Sequence, residues 1–276
     1  MTGRFDLFAA TRWVPWLFTG LVLFFLAAPL FVVVPAAFNN SSLLQFPPRA
    51  WSLRWFHQYF DNPSWIEATL MSVKVGICVS LLATLLGLAS AVGLARYRLF
   101  GRNLLRALVM APLLVPVIVI AVGLYELFLR LGINGSFAAI VIGHTLVTFP
   151  YATVVIGAAL AEIDPRLENA AVGLGARRPR AFLEVTLPLI RPGLVVAALF
   201  GFLISFDEVV LAIFLTSPAT MTLPRRLWDG IRFELNPTIA AVSTMLIVLS
   251  TVVMLLSEVL RRVLARRSGL PAGQGR

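Results

Sequence analysis

Two adjacent carboxylates, Asp207 and Glu208, and the chain's single lysine, Lys74, fall inside long apolar stretches. A charge there costs at least about 2.5–3.5 kcal/mol unless it faces water or a partner. These residues are therefore the first candidates for function. Lys74 can neutralise one carboxylate, so it either forms an ion pair that stitches two helices or leaves the other carboxylate to a cation in a water-filled path. Phe206 beside them either packs or offers an aromatic face to an ammonium group. Glu126 is a weaker candidate for the same path, because Arg130 stands at i+4 and forms an ordinary surface pair with it. Other chemistries lack their residue sets. His57 and His144 have no HExxH or cysteine partner pattern, and Cys78, the only cysteine, forms neither an intrachain disulfide nor a thiolate cluster. Lys74 lies in Ser72-Val73-Lys74-Val75 rather than in the Gly-Lys-Ser/Thr of a phosphate-binding loop. Gly173-Leu174-Gly175 lacks the third glycine of a dinucleotide fingerprint and follows a helix rather than a strand. The expectation is no catalytic site, no metal and no cofactor bound by this chain.

The elements that carry these residues are dictated by composition. At 59% hydrophobic and 13% charged, with a mean hydropathy of +0.90, the 276 residues hold more apolar surface than a soluble domain can bury. An all-α membrane bundle follows. Stretches of roughly 20 apolar residues match a hydrocarbon core of about 30 Å, and they fall near residues 13–38, 66–95, 104–129, 136–160, 194–216 and 237–260. The whole chain reads as one transmembrane domain, 1–276, with a polar tail at 268–276. Sixteen arginines lie in the segments that are inner if the N-terminus is inside, against six in the outer segments. Both termini are thus expected in the cytoplasm, with 96–103, 161–193 and 261–276 inside and 39–65 and 217–236 outside. In that frame Asp207 and Glu208 sit about 20 Å along the fifth span, and Lys74 reaches a similar depth from the outer side. The first span's apolar part is too long for a signal peptide. The chain's net charge of +10 comes from arginines dispersed among spans, which indicates topology and lipid contact rather than nucleic-acid binding. Residues 52–60, with Trp51 just before them, have the amphipathic composition of a short outer helix at the interface.

The third cytoplasmic segment, about 161–193, has its own internal logic. Asp164 is a suitable N-cap, Pro165 a suitable first helical residue, and Gly175 a left-handed stop. Between them Leu167, Ala170, Ala171 and Leu174 recur at i, i+3, i+4 and i+7, an apolar stripe with Arg166, Glu168 and Asn169 on the other face. A stripe of alanines flanked by leucines is shallow enough either to lie in a groove on another protein or to fold against its own bundle. A second piece, residues 180–186, is expected to end at Leu187-Pro188 and Pro192, which break helix before the fifth span begins.

The spacing of Ala170-Ala171, Gly175 and Leu187-Pro188 resembles the contact loop of ABC importer permeases, whose pattern is Glu-Ala-Ala, three residues, Gly, nine residues, Ile-x-Leu-Pro. Asn169 stands where that glutamate is expected, with Glu168 one place earlier, and Val185 replaces the isoleucine. Trp51-Ser52-Leu53-Arg54-Trp55, Gly143-His144, Phe149-Pro150-Tyr151, residues 205–210, Thr222-Leu223-Pro224 and Asn236-Pro237 extend the likeness to the second permease subunit of spermidine/putrescine-type importers. The resemblance implies a type I importer permease in a bacterial inner membrane. Its partners would be a second homologous permease, an extracytoplasmic solute-binding protein and an ATPase dimer that holds ATP and Mg. It also implies that Leu167, Glu168, Asn169, Ala170, Ala171, Leu174, Gly175, Leu187 and Pro188 carry the ATPase contact. The solute expected is a small cation such as putrescine or spermidine. Similar permeases move opines, aminophosphonates, other organic cations or ferric iron, and an ATP-independent channel or carrier is the reading from a different class.

Overall fold

The computed structural model describes residues 13–42, 46–97, 100–233 and 237–267. The expected tail 268–276, Arg4, Arg12, Arg98, Arg276 and Asn236 lie outside the described residues. Among those described, regular structure is entirely helical, with two isolated β-bridges and no strand. Helix α1 is Trp13–Ala37, α2 Arg54–Asp61, α3 Pro63–Arg96, α4 Arg102–Leu114, α5 Val117–Arg130, α6 Phe137–Ala161 and α7 Pro165–Gly173. Then come α8, Arg178–Asp207, with a π turn at Phe182–Thr186, followed by α9 Val210–Leu215, α10 Leu223–Phe233 and α11 Thr238–Arg267. Five of these are long and apolar enough to cross a membrane, and α4 with α5 makes a sixth span if the bent pair is counted as one.

The chain groups into two compact units, one drawn from the chain up to Asn62 and Gly230–Ile247, the other from Pro63–Asp229 and the chain from Val248. In the first unit, α2 is the short amphipathic helix expected before the second span. It buries Trp55 and Tyr59, one turn apart, and Trp55 packs with Ala36, Ala37, Ala240 and Ala241. The indole Nε1 donates to the Asn39 carbonyl at 2.6 Å, which satisfies the one polar atom of that ring.

In the second unit α3, α6 and α8 pack on one another, and small residues set how closely. A Cβ at Gly87 would stand 2.7 Å from Ala152 Cβ and 2.9 Å from its carbonyl carbon, so α3 and α6 touch backbone to backbone. Gly201 of α8 lies against Ser80 of α3 and Thr148 of α6, and the Ser80 hydroxyl donates to the Ala198 carbonyl at 2.6 Å. In a bilayer such contacts replace the hydrophobic drive that water would supply.

Two expected spans take a different course. The third, 104–129, is broken into α4 and α5 with a 100° bend. Val115 is extended at φ −86° and ψ 129°, and Pro116 follows, as required of a residue before proline, whose missing N–H also ends the ladder. The fifth begins earlier and ends earlier than 194–216. Pro188 and Pro192 do not break it, because the π turn shifts the ladder: Leu187 N–H donates to Phe182 O, five residues back, and the helix runs on through both prolines. Its end comes at Asp207, where Glu208 turns extended (ψ 108°) and a new short helix starts. Asp207 therefore closes a 30-residue helix about 45 Å long rather than sitting about 20 Å along a span that continues to residue 216.

Candidate functional site

The segment at 161–193, expected to carry the ATPase contact, is built much as its sequence dictates. Asp164 Oδ1 accepts from Arg166 N at 2.8 Å, Pro165 opens α7, and Gly175 adopts φ +97°. Gly175 N donates to Val172 O and Ala176 N to Ala171 O, so the last carbonyls are satisfied around the left-handed glycine. Leu167 and Leu174 remain 50% and 90% exposed, and Ala170 is exposed between them. The stripe is thus not folded onto its own bundle. Ala171 belongs instead to the half-buried side, with Glu168 and Val172, while Asn169 stays exposed. Leu187 and Pro188, half-buried, continue the π turn into α8.

Glu168, placed on the polar face by its spacing, ties the loop down. Its Oε2 accepts from the hydroxyl of fully buried Thr186 in the π turn at 2.7 Å and lies 3.6 Å from a guanidinium nitrogen of Arg96 at the end of α3. Three pieces of the chain, the end of α3, α7 and the π turn, meet at one carboxylate, one residue before the position where the resemblance expects a glutamate. Sequence reasoning assigned no role to Thr186 or Arg96. The displaced glutamate and the Val185-Thr186-Leu187-Pro188 run were the available signals.

The acidic pair divides its roles. Glu208 Oε1 accepts from Val210 N at 2.8 Å and Leu211 N at 3.0 Å, so it caps α9. Asp207 is exposed and has no hydrogen-bond or ion-pair partner among the described residues. The expected alternative of a Lys74–carboxylate staple is not what forms: no carboxylate lies within 4.0 Å of Lys74 among the described residues. Lys74 instead lines a cleft of about 400 Å³, on the side expected to be outer, with Glu67, Met71, Met221 and Arg226. Arg226 lies 5.2 Å over the Trp65 ring, and Leu223 N donates to Ser72 Oγ at 2.8 Å, holding the chain after α9 to α3. Phe206 is buried and stacks on Phe202 at 5.4 Å, so its faces are occupied by packing. Glu126 pairs with Arg130 at 2.9 Å on the surface of α5, as its i+4 spacing dictates. Two residues before Asp207, Ser205 Oγ lies 3.0 Å from Nδ1 of His144, whose side chain is buried between α6 and α8. His144 Nε2 has no hydrogen-bond partner among the described residues. Among the described residues no group of three His, Cys, Asp or Glu side chains could hold a metal.

Residues 83–269 match the family model described as binding-protein-dependent transport system inner membrane component. The spermidine/putrescine transport system permease protein PotC of Haemophilus influenzae is 31% identical over 89% of this chain and 95% of its own length. The putrescine transport system permease protein PotI of Escherichia coli K12 is 31% identical over 84% of this chain and 86% of its own. Among solved structures, a bacterial ABC transporter importing the acidic polysaccharide alginate shares the fold at a TM-score of 0.70, with 15% identity, over 94% of this chain and 98% of that one. The inward-facing MetNI methionine ABC transporter matches at 0.58 with 18% identity, over 76% and 97%.

Proposed function

We propose, from the premise that the chain belongs to the family of binding-protein-dependent transport system inner membrane components, that it is the permease subunit of an ATP-driven importer of polyamines in a bacterial inner membrane. The observation that carries the reading is the exposed Leu167–Ala170–Leu174 face on a helix capped at both ends and anchored through Glu168. A rigid, shallow apolar face without a partner in its own bundle suits a groove on an ATPase. ATP and Mg reside on that partner, a dimer, because this chain has no phosphate-binding loop. A second homologous permease and an extracytoplasmic solute-binding protein complete the assembly. Asp207, uncommitted at the end of α8, supplies negative charge for a cationic solute, and the substrates named for the relatives fit that charge.

The outer cleft favours a second solute. Lys74 and Arg226 beside Glu67 would suit a molecule carrying carboxylates as well as an amine, such as an opine. Uptake separates the two: labelled putrescine enters and excess unlabelled spermidine abolishes its entry under the first reading, whereas a labelled opine enters and putrescine does not under the second. For the ATPase contact, Ala170→Asp places a charge on the docking face, and Gly175→Val removes the left-handed stop. Both variants should insert in the membrane yet lose the copurifying ATPase. Retention of the ATPase by both would return α7 to an intramolecular role.

A further inference from the structure

We propose that a cleft formed by α3, α4 and α6 on the predicted cytoplasmic side is a binding site for an anionic phospholipid. The cleft measures about 610 Å³ and is bounded by Ala91 and Leu94 of α3, Arg102, Arg106 and Met110 of α4, and Gly157 of α6. The three α4 residues recur at i, i+4 and i+8, so they form one stripe along the helix. Read from the inner end, that stripe runs cation, cation, thioether over about 12 Å. A phospholipid has the same order, with a phosphate diester at the interface and acyl chain toward the bilayer centre.

Both arginines are exposed, α4 buries none of its residues, and among the described residues neither arginine has a carboxylate partner. Their charge is therefore not spent on the fold. They lie in a segment that the arginine distribution places inside, where anionic headgroups concentrate and attract basic residues. Two planar guanidiniums also match a phosphate diester through paired hydrogen bonds. The same two charges repel a cationic solute, which separates this cleft from the solute path. At Gly157 an added Cβ would meet no heavy atom within 4 Å, so the cleft reaches the backbone of α6. That glycine provides a way to fill the cleft without altering charge.

The test uses the full chain, purified in detergent with whatever subunits accompany it, and reads the melting temperature after addition of phosphatidylglycerol, of phosphatidylcholine with the same acyl chains, or of inorganic phosphate. Phosphatidylglycerol should raise the melting temperature of the wild type, whereas phosphatidylcholine and phosphate should not. Arg102→Gln/Arg106→Gln should lose the gain, and Arg102→Lys/Arg106→Lys should keep part of it. Gly157→Leu should lose it with both charges intact, which decides the matter if the double variant fails to assemble. An equal gain from phosphatidylcholine, a gain reproduced by phosphate alone, or an unchanged gain in Gly157→Leu overturns the proposal. So does efficient cross-linking of a cysteine at Gly157 to a neighbouring subunit, which makes the cleft a protein interface.

Discussion

Glu168→Gln keeps the side chain's shape and removes its charge, and it should loosen the contact loop from α3 and α8 while leaving α7 helical. A hydrogen bond to a charged acceptor is worth about 1.5–3 kcal/mol and a neutral one about 0.5–1.5 kcal/mol, so the Thr186 bond weakens by about 1 kcal/mol. At 3.6 Å and an effective dielectric near 20, the attraction to Arg96 is about 4–5 kcal/mol before desolvation and side-chain ordering. Both side chains are 19% exposed, so a net loss of about 1 kcal/mol is the appropriate scale. The sum, about 2 kcal/mol, is roughly thirtyfold in the population of the docked loop. The assay is a double-mutant cycle with Thr186→Val, reading the fraction of ATPase retained on the purified permease and the solute moved per ATP hydrolysed. Each single variant should lower both readouts, and the double variant should fall short of additivity by about 1 kcal/mol. Additivity within about 0.3–0.5 kcal/mol would refute the direct Thr186–Glu168 tether.

Gly87→Ala inserts a methyl where α3 and α6 meet backbone to backbone, and it should destabilise the purified protein by about 1–3 kcal/mol in thermal or denaturant melts. Glu208→Ala removes both hydrogen bonds that cap the start of α9 and should cost about 0.5–2 kcal/mol of stability, while Asp207→Asn should leave the melting temperature unchanged and lower uptake. Lys74→Met should leave stability unchanged, since no carboxylate is paired with it among the described residues; a clear drop in melting temperature would restore the helix staple. Ser205→Ala removes the partner of His144 Nδ1 and should cost about 0.6–1.7 kcal/mol, read from the melting temperature of the detergent-purified chain.

What could be read from the sequence was what depends on neighbours in the chain. Hydropathy placed the spans, and the Asp164, Pro165 and Gly175 signals fixed both ends of α7, because capping is decided within a few residues. The i+4 pair Glu126–Arg130 was likewise visible. The alanine stripe was placed correctly at Ala170 but not at Ala171, whose side depends on how α7 lies against the π turn. Where the reading failed, partners distant in sequence decided the outcome. Pro188 and Pro192 looked like helix breakers, yet a π turn accommodates them. Pro116 within the third span is a signal for a bend, but the 100° size of it is not legible, since mean hydropathy is blind to direction. Glu208 looked equivalent to Asp207 until its carboxylate was seen capping α9, and the Glu67–Arg226 cleft joins residues far apart in sequence and left no local pattern.

We propose that work done on a separate ATPase enters this permease through Leu167, Ala170 and Leu174. The most direct test is uptake of labelled spermidine into proteoliposomes containing the chain with its partner permease, ATPase and binding protein, comparing the wild type with Leu174→Asp. Leu174 is 90% exposed, so the substitution leaves the fold intact. Uptake should require ATP in the wild type and be lost in Leu174→Asp along with the bound ATPase. Uptake that proceeds without ATP, or that survives Leu174→Asp with the ATPase still bound, would contradict the proposal.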